Sequence, residues 1–205
     1  MHLVFLVEEP SAEVFLAGLL PRILPEGMTH EINRFQGKSD LLANLESRLR
    51  GYSAWIPSDW RIVVLVDEDR EDCGLLKRRL ETSAKAAGLT TKSRGNNGTF
   101  AVLNRIAVEE LEAWFLGDVE ALRTVYPRVP ASLASRKNLR DPDAVPGGTW
   151  EALERVLQQA GYFPGGLGKL EVSRAMGRHL EPSRNRSRSF ACFIDGISAL
   201  HRAQP

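Results

Sequence analysis

Cysteine is scarce in this chain: Cys73 and Cys192 are its two, far apart and outside any Cys-x-x-Cys pair. A disulfide framework is thereby excluded, and both positions fall in patterns that predict buried helix faces, so they read as free core thiols. The four histidines, His2, His30, His179 and His201, lack the His-x-His or His-Glu-x-x-His spacing of a zinc site. Charge of one sign is not in excess either. With 27 basic and 26 acidic residues the formal net charge is +1, so any affinity for nucleic acid must come from a local patch or a partner. Long apolar runs are absent too. The opening Leu3 to Val7 stops at Glu8 and Glu9, and no run approaches the roughly 20 apolar residues that cross a bilayer. Without a basic leader and a cleavage site that opening is not a secretory signal, so a soluble protein of the cytosol, without a membrane partner, is expected. No internal period is present.

What is there is an ordinary globular composition, 43% apolar and 26% charged over 205 residues. That length suits one domain, or one domain carrying a helical extension. Leu3 to Val7 reads as a strand covered on both faces. Pro10 and Ser11 open a helix with Val14, Phe15, Leu19 and Leu20 at helical spacing. Met28 to Phe35 alternates as a half-buried strand does. Gly37-Lys38-Ser39 leads into a helix with Leu41, Leu42, Leu45 and Leu49 on one face; it is not a P-loop, because Ile32 stands where the first glycine of that motif belongs. Arg61 to Val66 is the clearest buried strand. A helix with Cys73, Leu76, Leu80, Ala84 and Ala87 on one face follows, ended by Gly88. Thr99 to Val108, after the turn-rich Gly95 to Gly98, predicts a further strand, with a helix starting at Glu109.

Alternation of strand and helix implies an α/β fold: a mainly parallel central sheet, right-handed crossovers, helices on both faces, and function at the carboxyl ends of the strands. Pro127 to Gly148 reads as a long loop and a plausible boundary. Residues 1–126 are the expected α/β core. Residues 127–205 are a loop and C-terminal helical extension, around Trp150 to Leu157, Leu170 to Met176 and Phe190 to Leu200, packed as part of the same domain.

Two of the strongest strands end in clustered acids, Val7-Glu8-Glu9 and Val66-Asp67-Glu68-Asp69, and a third runs into Glu109, Glu110 and Glu112. Hard divalent cations prefer carboxylate oxygens, and magnesium takes only one or two from a protein while keeping waters. Like charges crowded at a sheet edge are costly unless a cation neutralises them. First turns of helices also favour acids, which accounts for Glu71, Asp72 and in part Glu109 but less well for the strand ends. The expected cofactor is therefore Mg2+ or Mn2+.

The segments VEEPSAE, VLVDEDRED, RIAVEELEAWFLGD, RDPDAV, GKLEVSRAM and NRSRSF together resemble a bacterial domain-of-unknown-function family grouped with Toprim-like domains, including the overcoming-lysogenization-defect nucleases. The resemblance implies a Toprim-like fold and metal-dependent phosphodiester hydrolysis. Asp67 and Asp69 match the Toprim Asp-x-Asp. The Toprim Glu is Glu8, with Glu9 in the glycine place, or Glu9, with Glu13 as the acid four residues on. Lys169, six residues before Ala175, is similar to the nuclease lysine that aids the transition state. Glu109 and Glu112 are candidates for additional acids. Arg184, Arg186 and Arg188 are candidates for phosphate contacts, or form a solvated loop. Trp114 and Phe115 read as core. The implied substrate is nucleic acid, DNA before RNA, with a separate ATPase protein as partner in phage defence and room for a homodimer. The alternatives are a non-catalytic partner subunit and a phospho-receiver-like switch. The latter needs a hydroxyl residue at the end of its fourth strand, where this chain has Val108-Glu109.

Overall fold

The computed structural model describes residues 1–95 and 100–202. The chain divides into two compact units that alternate along the sequence. Unit 1 comprises Met1–Glu9, Leu24–Ile106 and the chain from Phe193 onward; unit 2 comprises Pro10–Ile23 and Ala107–Cys192.

Unit 1 holds a four-stranded parallel sheet flanked by helices, as the alternation of elements requires. Its strands are β1 (His2–Val7), β2 (Thr29–Arg34), β3 (Trp60–Asp67) and β4 (Val102–Ala107), in the spatial order β2-β1-β3-β4. β1 pairs with β2 on one side (Val7 opposite Arg34) and with β3 on the other (Val7 opposite Leu65). A strand so placed has both faces covered, which is why Leu3 to Val7 is apolar throughout. Helices α2 (Lys38–Ser53) and α3 (Cys73–Ala86) cover one face: Leu41, Leu45, Leu49, Leu76 and Leu80 pack on Val4, Leu6, Ile62, Val64 and Val66. On the other face Leu3, Phe5, Val63 and Leu65 are equally buried. Edge strand β2 is half-buried, as its alternation predicts. Of the turn expected before β4, Gly95 is described and the rest lies outside the described residues.

Unit 2 is helical. Helix α1 (Pro10–Ile23) packs on α7 (Lys169–His179) where two glycines let the backbones meet: a Cβ on Gly177 would stand 2.3 Å from the Phe15 carbonyl oxygen, and one on Gly18 3.0 Å from the Gly177 carbonyl carbon. Around this pair lie α4 (Glu112–Gly117), α5 (Val119–Val125) and α6 (Thr149–Gln159), with short 3-10 turns inside the expected loop at Ala131–Ser135, Lys137–Leu139 and Pro142–Ala144. Helix α8 (Arg188–Arg202) starts in unit 2. Trp114 and Phe115 are fully buried, tilted against Phe15.

Two expectations need correction. The helix expected at Glu109 begins at Glu112, because Glu109 adopts left-handed backbone (φ +61°) and turns the chain before the helix can start. Cys192 is exposed and so is not a core thiol, whereas Cys73, half-buried, packs against the core cluster at its edge. The helix expected around Leu170 to Met176 is α7, whose inward positions are Val172, Ser173, Met176 and Gly177. Among the described residues no helix is long and apolar enough to cross a membrane.

Candidate functional site

Strand order reverses at β1, with β2 reached on one side and β3 on the other, and in open parallel sheets that switch point leaves a crevice beyond the carboxyl ends of the strands. Glu8 follows β1 directly, and Asp67 closes β3 beside it. Both are buried, at 5% and 7% exposure. The Asp67 backbone N–H donates to Glu8 Oε1 at 2.6 Å, while the Glu8 carbonyl accepts from the N–H of Gly37 at 2.8 Å, so one residue ties β3 and the start of α2 to the end of β1. Burial pushes the Glu8 carboxyl from its ordinary 4.5 up to about 7. The Asp67 N–H and Lys38 oppose that rise, while the charges of Asp69 and Glu9 add to it.

Asp69 turns away in left-handed backbone (φ +53°), a conformation that Asp tolerates better than most residues. Its carboxylate meets Lys38. The Lys38 ammonium, on the first residue of α2, stands 3.0 Å from Asp69 Oδ2, 3.0 Å from Glu71 Oε1 and 2.8 Å from the Glu68 carbonyl oxygen, and these acids hold its pKa above the ordinary lysine value although burial alone would lower it. Lys38 is the residue that sequence reasoning passes over. Gly37 makes its placement possible: the helix begins there with φ +97° and no side-chain cap. Lys38→Met should therefore destabilise the protein by about 1–2 kcal/mol, less than for a buried pair because Asp69 and Glu71 are half-exposed. Urea denaturation measures this, and a change within 0.3 kcal/mol, on the order of an ordinary surface substitution, would count against Lys38 as the keystone of the β3 loop.

Among the described residues no three His, Cys, Asp or Glu side chains stand together as a metal-holding group. Two carboxylates at one strand end still meet the modest demand of magnesium, and the Glu8 carboxyl there is raised chiefly by burial, with the charges of Asp69 and Glu9 adding to it. The residues therefore fit a cation through Glu8 and Asp67, with Glu9 and Asp69 as neighbours.

The remaining candidates lie in unit 2. Glu13 sits in the first turn of α1. Glu112 is buried at 1% exposure, with the Lys169 ammonium 3.8 Å from its Oε1 and 5.5 Å from the centre of the Trp150 ring. Glu110 serves α6, accepting from Thr149 Oγ1 (3.0 Å) and the Trp150 N–H (2.9 Å), so it does for this helix what Gly148 cannot. Arg184 Nε donates to Asp118 at 2.7 Å, and Arg186 donates to the carbonyls of Ala134 and Leu116. Arg188 is exposed on the first residue of α8. Asp143 accepts from Ser187 Oγ (2.6 Å), the Ser189 N–H (2.8 Å) and Ser189 Oγ (3.0 Å), and Trp114 Nε1 donates to Ser189 Oγ at 2.8 Å. One further buried acid in unit 1, Glu81, is held down to about 2. Bonds from Ser93, Thr91 and Asn104 and the charge of Lys77 overcome its burial, and they tie α3 to β4 and the segment before it.

A parallel α/β unit with paired acids at its switch point thus defines the class of protein. The chain belongs to the DUF4276 family, a domain of unknown function, whose model matches residues 7–198. No curated protein and no solved structure matches it.

Proposed function

We propose that the chain is a Toprim-type, magnesium- or manganese-dependent phosphodiesterase acting on nucleic acid, with Glu8 and Asp67 as its cation-binding pair. The observation that carries this reading is the state of Glu8: buried at the sheet's switch point against Asp67, its carboxyl is pushed up to about 7 partly by the charges of Asp69 and Glu9. A group so poised is a signature of functional carboxylates. A bound divalent ion supplies Lewis-acid polarisation of a phosphoryl oxygen and an acidified water. Asp67 and ionised Glu8 would hold it, Glu9 or Asp69 completing the set. Asp69 would first leave Lys38, which keeps its contacts to Glu71 and the Glu68 carbonyl. Lys169, which the Toprim resemblance makes a source of positive charge to the reacting phosphate, is kept on α7 beside Glu112. The same resemblance supports a role as the nuclease half of a defence system, beside a separate ATPase protein.

The Lys38 contacts favour a second reading, in which the cluster is neutralised from within and the chain is a non-catalytic subunit. Melting of wild type and Asp67→Asn, in chelator and in magnesium, separates the two. Removing one crowded charge at nearly constant shape should leave the variant melting at or above wild type in chelator, and below it in saturating magnesium, because ligand binding to the native state adds stability that grows with affinity. A difference that does not depend on metal would defeat the cation-site reading.

A further inference from the structure

We infer that unit 2 carries a phosphate-binding pocket, built around Arg128 and Arg136, that receives the backbone of a nucleic-acid strand. The pocket is independent of the acids at the sheet end; only the choice of a phosphodiester chain as its occupant rests on the proposed function.

From Arg123 to Arg140 the chain has five basic residues, Arg123, Arg128, Arg136, Lys137 and Arg140, and no acid, in a protein whose net charge is +1. All five are exposed. This is the local patch that overall neutrality requires if the protein is to hold a polyanion. Within it a cavity of about 240 Å3 is lined by Arg128, Pro130, Arg136, Val156, Gln159 and Ala160, with no carboxylate among them. Several water volumes fit in that space, enough for a phosphate group with part of its sugar.

The two arginines are prepared differently. Arg128 is fixed: its guanidinium lies 4.1 Å from the centre of the Tyr162 ring, and Nη2 donates to the Gly161 carbonyl at 2.8 Å. Gly161 suits this point because its φ of +79° is one that side chains rarely adopt, and its bare Cα leaves room for Arg128 Nη1, which a Cβ would meet at 2.9 Å. Stacking and one anchoring bond pre-organise a planar fork, so little side-chain entropy is left to lose when an anion binds. Arg136 is open. Among the described residues its guanidinium has no hydrogen-bond or ion-pair partner, although its backbone N–H closes the turn on the Leu133 carbonyl.

A bland account is that these cations serve the negative end of α6. Backbone bonds already do so: the carbonyls of Val156, Leu157 and Gln158 accept from the N–H groups of Ala160, Tyr162 and Gly161. Arg128 adds to that end at the Gly161 carbonyl, but Arg136 bonds to nothing there. Its charge is left for a ligand, and Gln159 offers an amide to the same space. The NRSRSF arginines, by contrast, have Arg184 and Arg186 engaged within the unit.

Fluorescence anisotropy with a labelled single-stranded DNA oligonucleotide, in chelator and at about 50 mM salt, tests this on the full chain without any cleavage. Arg136→Glu should weaken binding by at least about tenfold, and Arg136→Ala should lower the salt slope by about one. Arg50→Ala, which removes an exposed arginine of unit 1, should stay within about twofold. Competition by inorganic pyrophosphate should follow the same order. Wild-type affinity in Arg136→Glu, or Arg136-dependent binding to phosphatidylserine vesicles but not to the oligonucleotide, would overturn the inference. Absence of cleavage in magnesium by a protein that still binds through Arg136 would instead overturn the sheet-end reading alone.

Discussion

Glu8→Gln should abolish most of the pH dependence of stability between about pH 4.5 and about pH 7, and should make the protein more stable than wild type at pH 8. The Glu8 carboxyl binds its proton more tightly in the folded chain, at about 7, than at its ordinary value of 4.5. Folding therefore takes up a proton inside that window. The stability linked to it is fully present below pH 4.5 and is lost as pH rises through 7. The full difference is on the order of 3 kcal/mol, at roughly 1.4 kcal/mol per pH unit. Glutamine keeps an oxygen to accept from the Asp67 N–H and carries no charge, so only the titration is removed. Urea denaturation at pH 5 and pH 8 reads the difference directly. Equal pH profiles for the two proteins would mean that Glu8 is ionised at the sheet end without cost.

Asp143→Ala should cost the protein about 3 kcal/mol or more. Its carboxylate takes three hydrogen bonds from Ser187 and Ser189, and bonds to charged groups contribute roughly 1.5–3 kcal/mol each, without simple addition. Its loss removes the charged acceptor of the Ser187 hydroxyl, which caps the first turn of α8 at the Phe190 N–H and keeps only the Ser189 hydroxyl beside it, and loosens Ser189 beneath the Trp114 indole. Asp143→Asn, which retains an acceptor, should recover about half of that loss. Chemical denaturation of the three proteins measures this; a cost below about 1 kcal/mol for alanine would show that the segment is held by its apolar side chains alone.

The sheet is legible in the sequence because its strands are covered on both faces: Leu3 to Val7 and Arg61 to Val66 admit few other readings. The acids after them are legible for the same reason, since a charge following an unbroken apolar run must lie at a strand end. Lys38 is not. Gly-Lys-Ser has meaning in sequence only as a P-loop, and its use here depends on the strand order, which sets the start of α2 beside the end of β3. The short α5, seven residues long, has too few turns to show a period. The arginines of NRSRSF show the opposite limit: in sequence they have the spacing of a phosphate contact, and in the fold Asp118 and two carbonyls engage Arg184 and Arg186.

The close packing of Gly18 on Gly177 bears on the order in which the chain acquires its structure. The two glycines are separated by most of the sequence, and β1 cannot complete its ladders until β2 and β3 have both been made. Contacts between such distant segments must repay loop closure before they contribute anything, so folding here is a non-local and comparatively slow process. Until α7 arrives, the Phe15 side of α1 lacks its helical neighbour, and a nascent chain waiting in that condition exposes apolar surface of the kind on which chaperones act.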